Sequence, residues 1–122
     1  MKYLKRFEAK KELFGPKLIT ANAKAHLAYM EDTDFDIDAA FYGKGQVILQ
    51  IEADHRIYNW SDFKDDILSY LEYLRIQYDI VNITMNRVMS RGGLMEELIT
   101  FEELDSNNDM EFNALYIVLK EK

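Results

Sequence analysis

Hydrophobic and polar residues alternate on both sides of a glycine-rich turn at residues 43–45. A period of two is typical of a strand with one buried face, and two such runs around a short glycine turn are typical of a β-hairpin. The pattern therefore predicts an antiparallel hairpin over residues 34–58. The side chains predicted to be buried on its apolar face are Phe35, Ile37, Val47, Leu49 and Ile51.

The next segment changes to helical spacing. Apolar residues recur three and four positions apart over residues 61–78, which predicts an amphipathic helix. Asn59 or Ser61 is the expected N-cap, and the helix is expected to cover the apolar face of the hairpin. The predicted buried stripe consists of Phe63, Ile67, Tyr70, Leu71, Leu74 and Tyr78.

The remaining segments complete an α+β pattern. Alanine-rich residues 18–31 predict a short helix with Thr20 as N-cap, although a strand over residues 25–30 is an alternative. Residues 79–89 and 110–120 predict strands, and residues 94–104 fit either a helix or an edge strand. We therefore expect an antiparallel sheet built from hairpins, with helices on one face. A further strand over residues 2–8 would permit a ferredoxin-like βαββαβ arrangement.

The composition indicates one folded domain. The chain has 122 residues, 48% hydrophobic, and contains no cysteine. We expect residues 1–122 to form a single domain, with residues 1–16 as a basic arm or a loosely attached first element. Without cysteine there are no disulfides and no thiolate chemistry. No long apolar run or convincing signal peptide is present, so we expect a cytoplasmic protein with no membrane segment.

Charge is distributed unevenly along the chain. Residues 1–30 carry seven Lys/Arg and two acids, a net charge of +5, whereas residues 31–122 carry eight Lys/Arg and twenty acids, a net charge of −12. An acidic body repels phosphate backbones and attracts basic protein surfaces. The exception is the first segment, where aromatic and basic residues alternate in a way that suits stacking and phosphate contact. The basic residues that could contact nucleic acid are Lys2, Lys5, Arg6, Lys10 and Lys11.

The polar face of the predicted hairpin is strongly acidic. The run of acids at residues 31–38 does not fit a calcium-binding loop. Whether such a loop begins at Asp32 or at Asp34, the position that needs Gly and the position that needs Glu both hold other residues. A Mg²⁺ site built from Asp34, Asp36, Glu52 and Asp54 is conceivable, since side chains on one strand face converge. A merely solvated face is the third interpretation. We predict a partner-binding surface that consists of Asp34, Asp36, Asp38, Glu52 and Asp54.

No motif for catalysis or cofactor binding is present. The two histidines, His26 and His55, do not have metal-ligand spacing, and the chain has no phosphate-binding glycine motif or nucleophile elbow. We therefore expect no catalytic residues, no cofactor and no structural metal.

In composition the chain resembles the small, acidic, proline-poor proteins that phages and other mobile elements carry, and the acidic immunity proteins that plug toxins. Both resemblances imply a non-enzymatic accessory or inhibitor protein that binds a basic partner. The alternatives are a metal-dependent enzyme that uses the hairpin carboxylates and a nucleic-acid accessory protein that uses the basic first segment.

Overall fold

A computed structural model describes residues 13–122 of the chain. This part contains four α-helices, a short 3₁₀ helix at Trp60–Asp62 and six β-strands. The helices are α1 (Pro16–His26), α2 (Ala28–Glu31), α3 (Lys64–Gln77) and α4 (Phe101–Ser106). The strands are β1 (Phe35–Phe41), β2 (Gln46–Ala53), β3 (Tyr58–Asn59), β4 (Tyr78–Val88), β5 (Leu94–Leu98) and β6 (Glu111–Glu121).

All strands belong to one antiparallel sheet, ordered β1-β2-β6-β4-β5, while the short β3 pairs with β6. The hairpin prediction is confirmed, because β1 and β2 pair from Phe35↔Ala53 to Phe41↔Val47. The last strand of the chain, β6, lies at the centre between β2 and β4. The α+β class with an antiparallel sheet is therefore confirmed. The ferredoxin-like option is not confirmed, and the strand it required lies outside the described residues.

The helices pack on one face of the sheet, where a continuous hydrophobic core forms. All five hairpin residues that were predicted to be buried are buried in this core. The prediction that the helix over residues 61–78 covers the hairpin is only partly right. That helix is α3, which lies mainly against β4, whereas α1 lies against β1 and β2. The reason is the sheet order, which inserts β6 between the hairpin and β4.

The N-terminal helix prediction is confirmed, and the strand alternative over residues 25–30 is wrong. The helix begins earlier than expected, at Pro16, which suits the first position of a helix because its ring fixes φ and it needs no N–H partner. The N-cap is Gly15, so the prediction of Thr20 as cap is wrong. Asn22 links α1 to α3: it accepts a hydrogen bond from the Tyr70 hydroxyl (2.8 Å) and donates one to the Tyr73 hydroxyl (3.1 Å).

The central helix is shorter than the predicted residues 61–78. A 3₁₀ turn at Trp60–Asp62 precedes it, and Phe63 occupies the N-cap without a side-chain hydrogen bond. The prediction of Asn59 or Ser61 as its cap is therefore wrong. The predicted stripe is buried from Phe63 to Leu74. Its last member, Tyr78, instead begins β4, since the chain leaves the helix at that residue.

Residues 94–104 contain both of the predicted alternatives in succession. The first five residues form β5, and α4 follows after Ile99. Thr100 separates the two elements through a capping box, in which its hydroxyl accepts from the Glu103 N–H (3.1 Å) while the Glu103 carboxylate accepts from the Thr100 N–H (3.0 Å). No helix among residues 13–122 is long and apolar enough to span a membrane.

Candidate partner-binding face

The sheet has a second face that no described helix covers, which we call the open face. The pairing register places alternate residues of five strands on it. The central row crosses the sheet from Asp38 through Gln50, Tyr116 and Thr84 to Leu98. The next row crosses from Asp36 through Glu52, Ala114 and Asn86 to Glu96. Two residues on the open-face side of β6, Ala114 and Val118, are buried but are not part of the core on the helix side.

Acidic residues dominate the charge of the open face. Asp36 on β1 and Glu52 on β2 are directly opposite one another. Like charges in that position are mildly destabilising. The face also carries Asp38 and, on the far strand, Glu96; none of these four acids forms an ion pair with a residue among 13–122. Among residues 13–122, the one lysine in register on this face is Lys120, which lies opposite Asp79.

Tyr116 stands at the centre of the open face and organises one of these acids. Its hydroxyl donates a hydrogen bond to the Glu52 Oε2 atom at 2.8 Å. Burial raises the pKa of Tyr116, and the hydrogen bond and negative charge of Glu52 and the charge of Glu96 raise it further. Tyr116 is therefore a neutral donor near pH 7 that fixes the Glu52 carboxylate on the face.

Two of the predicted site residues lie beyond the strand ends rather than on a strand face. Asp34 precedes β1 with a positive φ of 75° and pairs with Arg56 at 3.3 Å. Asp54 follows β2 and lies 3.3 Å from the Nε2 atom of His55. The alternation of the strand does not extend to His55, because β2 ends at Ala53. His55 has a φ of 58°, and its side chain is 95% exposed.

Four of the five predicted acids nevertheless converge at one corner of the hairpin. A shallow cavity of about 500 Å³ there is lined by Asp36, Glu52 and Asp54, with aliphatic surface from Ile57 and Leu94. An adjoining cavity of about 380 Å³ is lined by Asp34, Asp36 and Asp54 together with Glu31 and Arg56. Asp38 lies further along β1, and its carboxylate accepts a hydrogen bond from the Ala39 N–H at 2.9 Å.

The acids do not assemble into a metal centre in the described part of the chain. Within residues 13–122, no group of three or more Asp, Glu or His side chains is arranged to hold a metal ion. The basic residues between Lys2 and Lys11, on which the alternative of a nucleic-acid accessory protein depends, lie outside the described residues.

Sequence reasoning missed the apolar members of the open face. Leu94 and Leu98 flank Glu96 on β5 and are 48% and 71% exposed. Their spacing with Phe101 also fits a buried helical stripe, so the sequence left residues 94–104 open between a helix and an edge strand. Reading residues 94–98 as a strand would have placed all three side chains on one face, with the two leucines beside the acids.

The chain matches no protein-family model, and no similar protein was found among curated sequences or solved structures.

Proposed function

We propose that this protein is a non-enzymatic binding module whose open face receives a basic surface of a partner protein. The observation that carries the proposal is the pair of facing carboxylates, Asp36 and Glu52, at a cavity that Asp54 and two aliphatic residues also line. Folding alone gives no reason for this repulsion. A basic partner would relieve it on binding.

The corner cavity suits one lysine or arginine side chain of such a partner. Long basic side chains combine an apolar stem with a charged head. Ile57 and Leu94 offer apolar surface for the stem, while Asp36, Glu52 and Asp54 offer carboxylates for the head. Around this anchor, Tyr116 and Leu98 supply the aromatic and aliphatic contacts typical of protein interfaces.

Charge would act on association before contact is made. The net charge of residues 31–122 is −12, so a basic partner would be steered towards the protein over long distances. The composition supports an accessory or inhibitor role of the kind that phages and mobile elements encode. The cysteine-free chain fits the reducing cytoplasm, which we include in the proposal.

Comparative affinity capture tests this function. The baits are the wild type, the open-face variant Asp36→Lys/Glu52→Lys, and the charge-matched control Asp105→Lys/Asp109→Lys, whose exposed acids lie outside the open face. We expect basic proteins that the wild type and the control capture and the open-face variant loses. The proposal fails if both lysine variants capture the same proteins in the same amounts.

A further inference from the structure

Among residues 13–122, only half of the outer edge of β4 is covered by a neighbouring strand. β6 pairs with β4 from Tyr78 onwards, whereas β5 pairs with it only over residues 84–88. The pairing ends where the Ile99 N–H donates to the Ile83 carbonyl at 2.9 Å. Residues 78–82 therefore have a strand neighbour among residues 13–122 on one side only. Unpaired backbone groups along a strand edge are a template for another strand.

An apolar cleft of about 410 Å³ runs beside this half-covered edge. Leu98 at its rim is 71% exposed and Val81 is 45% exposed. Val81 protrudes because a β-bulge lies between Ile80 and Asn82. The residues that line the cleft include Arg75, Ile80, Val81, Ile83, Leu98 and Phe101.

Of the residues in the described part of the chain, Arg75 is the one charged residue that lines the cleft. Its guanidinium carbon lies 4.6 Å from the centre of the Phe101 ring, and its Nη1 atom lies 3.4 Å from the Glu72 carboxylate. Both charged side chains are about half exposed, and such surface pairs are weak. The guanidinium group is thus held at the cleft and remains able to bind a second carboxylate, for which its planar fork is suited.

We propose that the outer edge of β4 binds an extended peptide segment of a partner by strand addition. The peptide adds antiparallel to β4 in line with β5, where the chain of β5 turns away at Ile99. It places alternate aliphatic side chains in the cleft and pairs a carboxylate with Arg75. Main-chain hydrogen bonds give the affinity, and the cleft selects the side chains.

This site differs from the open face in the chemistry of its occupant. The open face is proposed to receive a basic surface, whereas the β4 edge selects an aliphatic peptide that carries a carboxylate. Either proposal can therefore fail while the other holds.

The test uses labelled hexapeptides with valine or isoleucine at alternate positions and one glutamate among the others. Each is compared with a shuffled peptide of the same composition and with a copy N-methylated on the amides that would face β4. Affinity is measured by fluorescence anisotropy, and hydrogen exchange follows the amides of residues 78–82. We expect alternating peptides to bind, N-methylation to weaken binding about tenfold or more, and exchange at residues 78–82 to slow.

Two substitutions localise the effect. Val81→Glu and Arg75→Gln should each weaken binding of the glutamate-containing peptides, whereas the open-face variant Asp36→Lys/Glu52→Lys should bind them as the wild type does. The proposal is overturned if shuffled or N-methylated peptides bind equally well, or if no alternating peptide binds. It is also overturned if the edge already has an occupant in the free protein: a second copy, seen as a dimer that Val81→Glu dissociates, or residues 1–12, seen as exchange at residues 78–82 that is already slow in the free monomer.

Discussion

The two faces of the same sheet follow opposite rules. On β2, Ile51 is completely buried against the helices, while its neighbour Glu52 faces the open side and accepts a hydrogen bond from Tyr116. The helix-side face is a continuous apolar core, whereas the open face carries facing acids. One face therefore holds the fold together, and the other carries carboxylates that form no ion pair with a residue among 13–122.

Electrostatics contributes little to the stability of the described part of the chain. No polar or charged residue among 13–122 is fully buried, and the ion pairs there involve exposed or partly exposed side chains. Such pairs are each worth about 0–1 kcal/mol. The contrast between the faces predicts that substitutions at neighbouring positions will differ sharply in their effect.

The largest difference is expected between Ile51→Asp and Gln50→Asp. Ile51→Asp places an unpaired charge in the core and should cost about 4 kcal/mol or more, enough to unfold a marginally stable domain. Gln50→Asp adds the same side chain one position away, opposite Asp38, and should cost about 1 kcal/mol or less. Chemical denaturation of both variants measures the contrast; similar midpoints would refute the assignment of the two faces.

A second contrast uses two aromatic residues, each of which donates one hydrogen bond. The fully buried Trp60 indole donates to the Leu104 carbonyl at 2.9 Å. Trp60→Phe leaves that carbonyl unsatisfied and opens a cavity, which should cost about 2–3 kcal/mol. Tyr116→Phe should cost about 1 kcal/mol or less, because water can replace its hydroxyl at Glu52. Equal losses in urea titrations would show that the open face is as important to folding as the core.

The environment of Tyr116 on the open face should also affect how stability depends on pH in the alkaline range. The pKa of Tyr116 is raised in the folded state, so above about pH 10 the unfolded tyrosine ionises while the folded one resists. Its contribution to stability is therefore constant below that pH and is lost as the pH rises. Between about pH 9 and pH 11, Tyr116→Phe should lose less stability than the wild type. An identical loss in both proteins would contradict the environment assigned to Tyr116.

The smallest effect on stability is expected from Asp36→Lys/Glu52→Lys. The two lysines that replace the facing carboxylates also repel one another, but they lower the net negative charge of the protein, so the melting temperature should stay close to that of the wild type. The charge-matched Asp105→Lys/Asp109→Lys variant controls for the change in net charge. A clear loss of stability confined to the open-face variant would show that these acids serve the fold.

Alternation in the sequence was sufficient to predict the hairpin, its buried side chains and the outward direction of Asp36, Asp38 and Glu52. It could not predict where each strand ends, and so Asp34 and Asp54 were assigned to a strand face. Both lie just beyond their strands, beside residues with positive φ or in such a conformation themselves. Strand ends depend on local backbone geometry and tertiary contacts, which a two-residue period does not encode.

The order of the strands was not available from local patterns at all. The last strand pairs between the hairpin and β4, and this long-range choice decides which helix covers which strands. It also brings Tyr116 next to Glu52 and sets Glu96 on the same face. The apolar part of the candidate site was missed for a related reason, because residues 94–98 have a spacing that suits both a helix and a strand.

The most direct test of the central claim is the rate of association with the captured partner as a function of salt. Measurements should span ionic strengths from about 0.01 to 1 M, over which the screening length falls from about 30 to about 3 Å. We predict that Asp36→Lys/Glu52→Lys slows association strongly at low salt and progressively less at high salt, relative to the Asp105→Lys/Asp109→Lys control. Equal association rates for the two lysine variants at every ionic strength would contradict the account and leave the open face as a solvated surface.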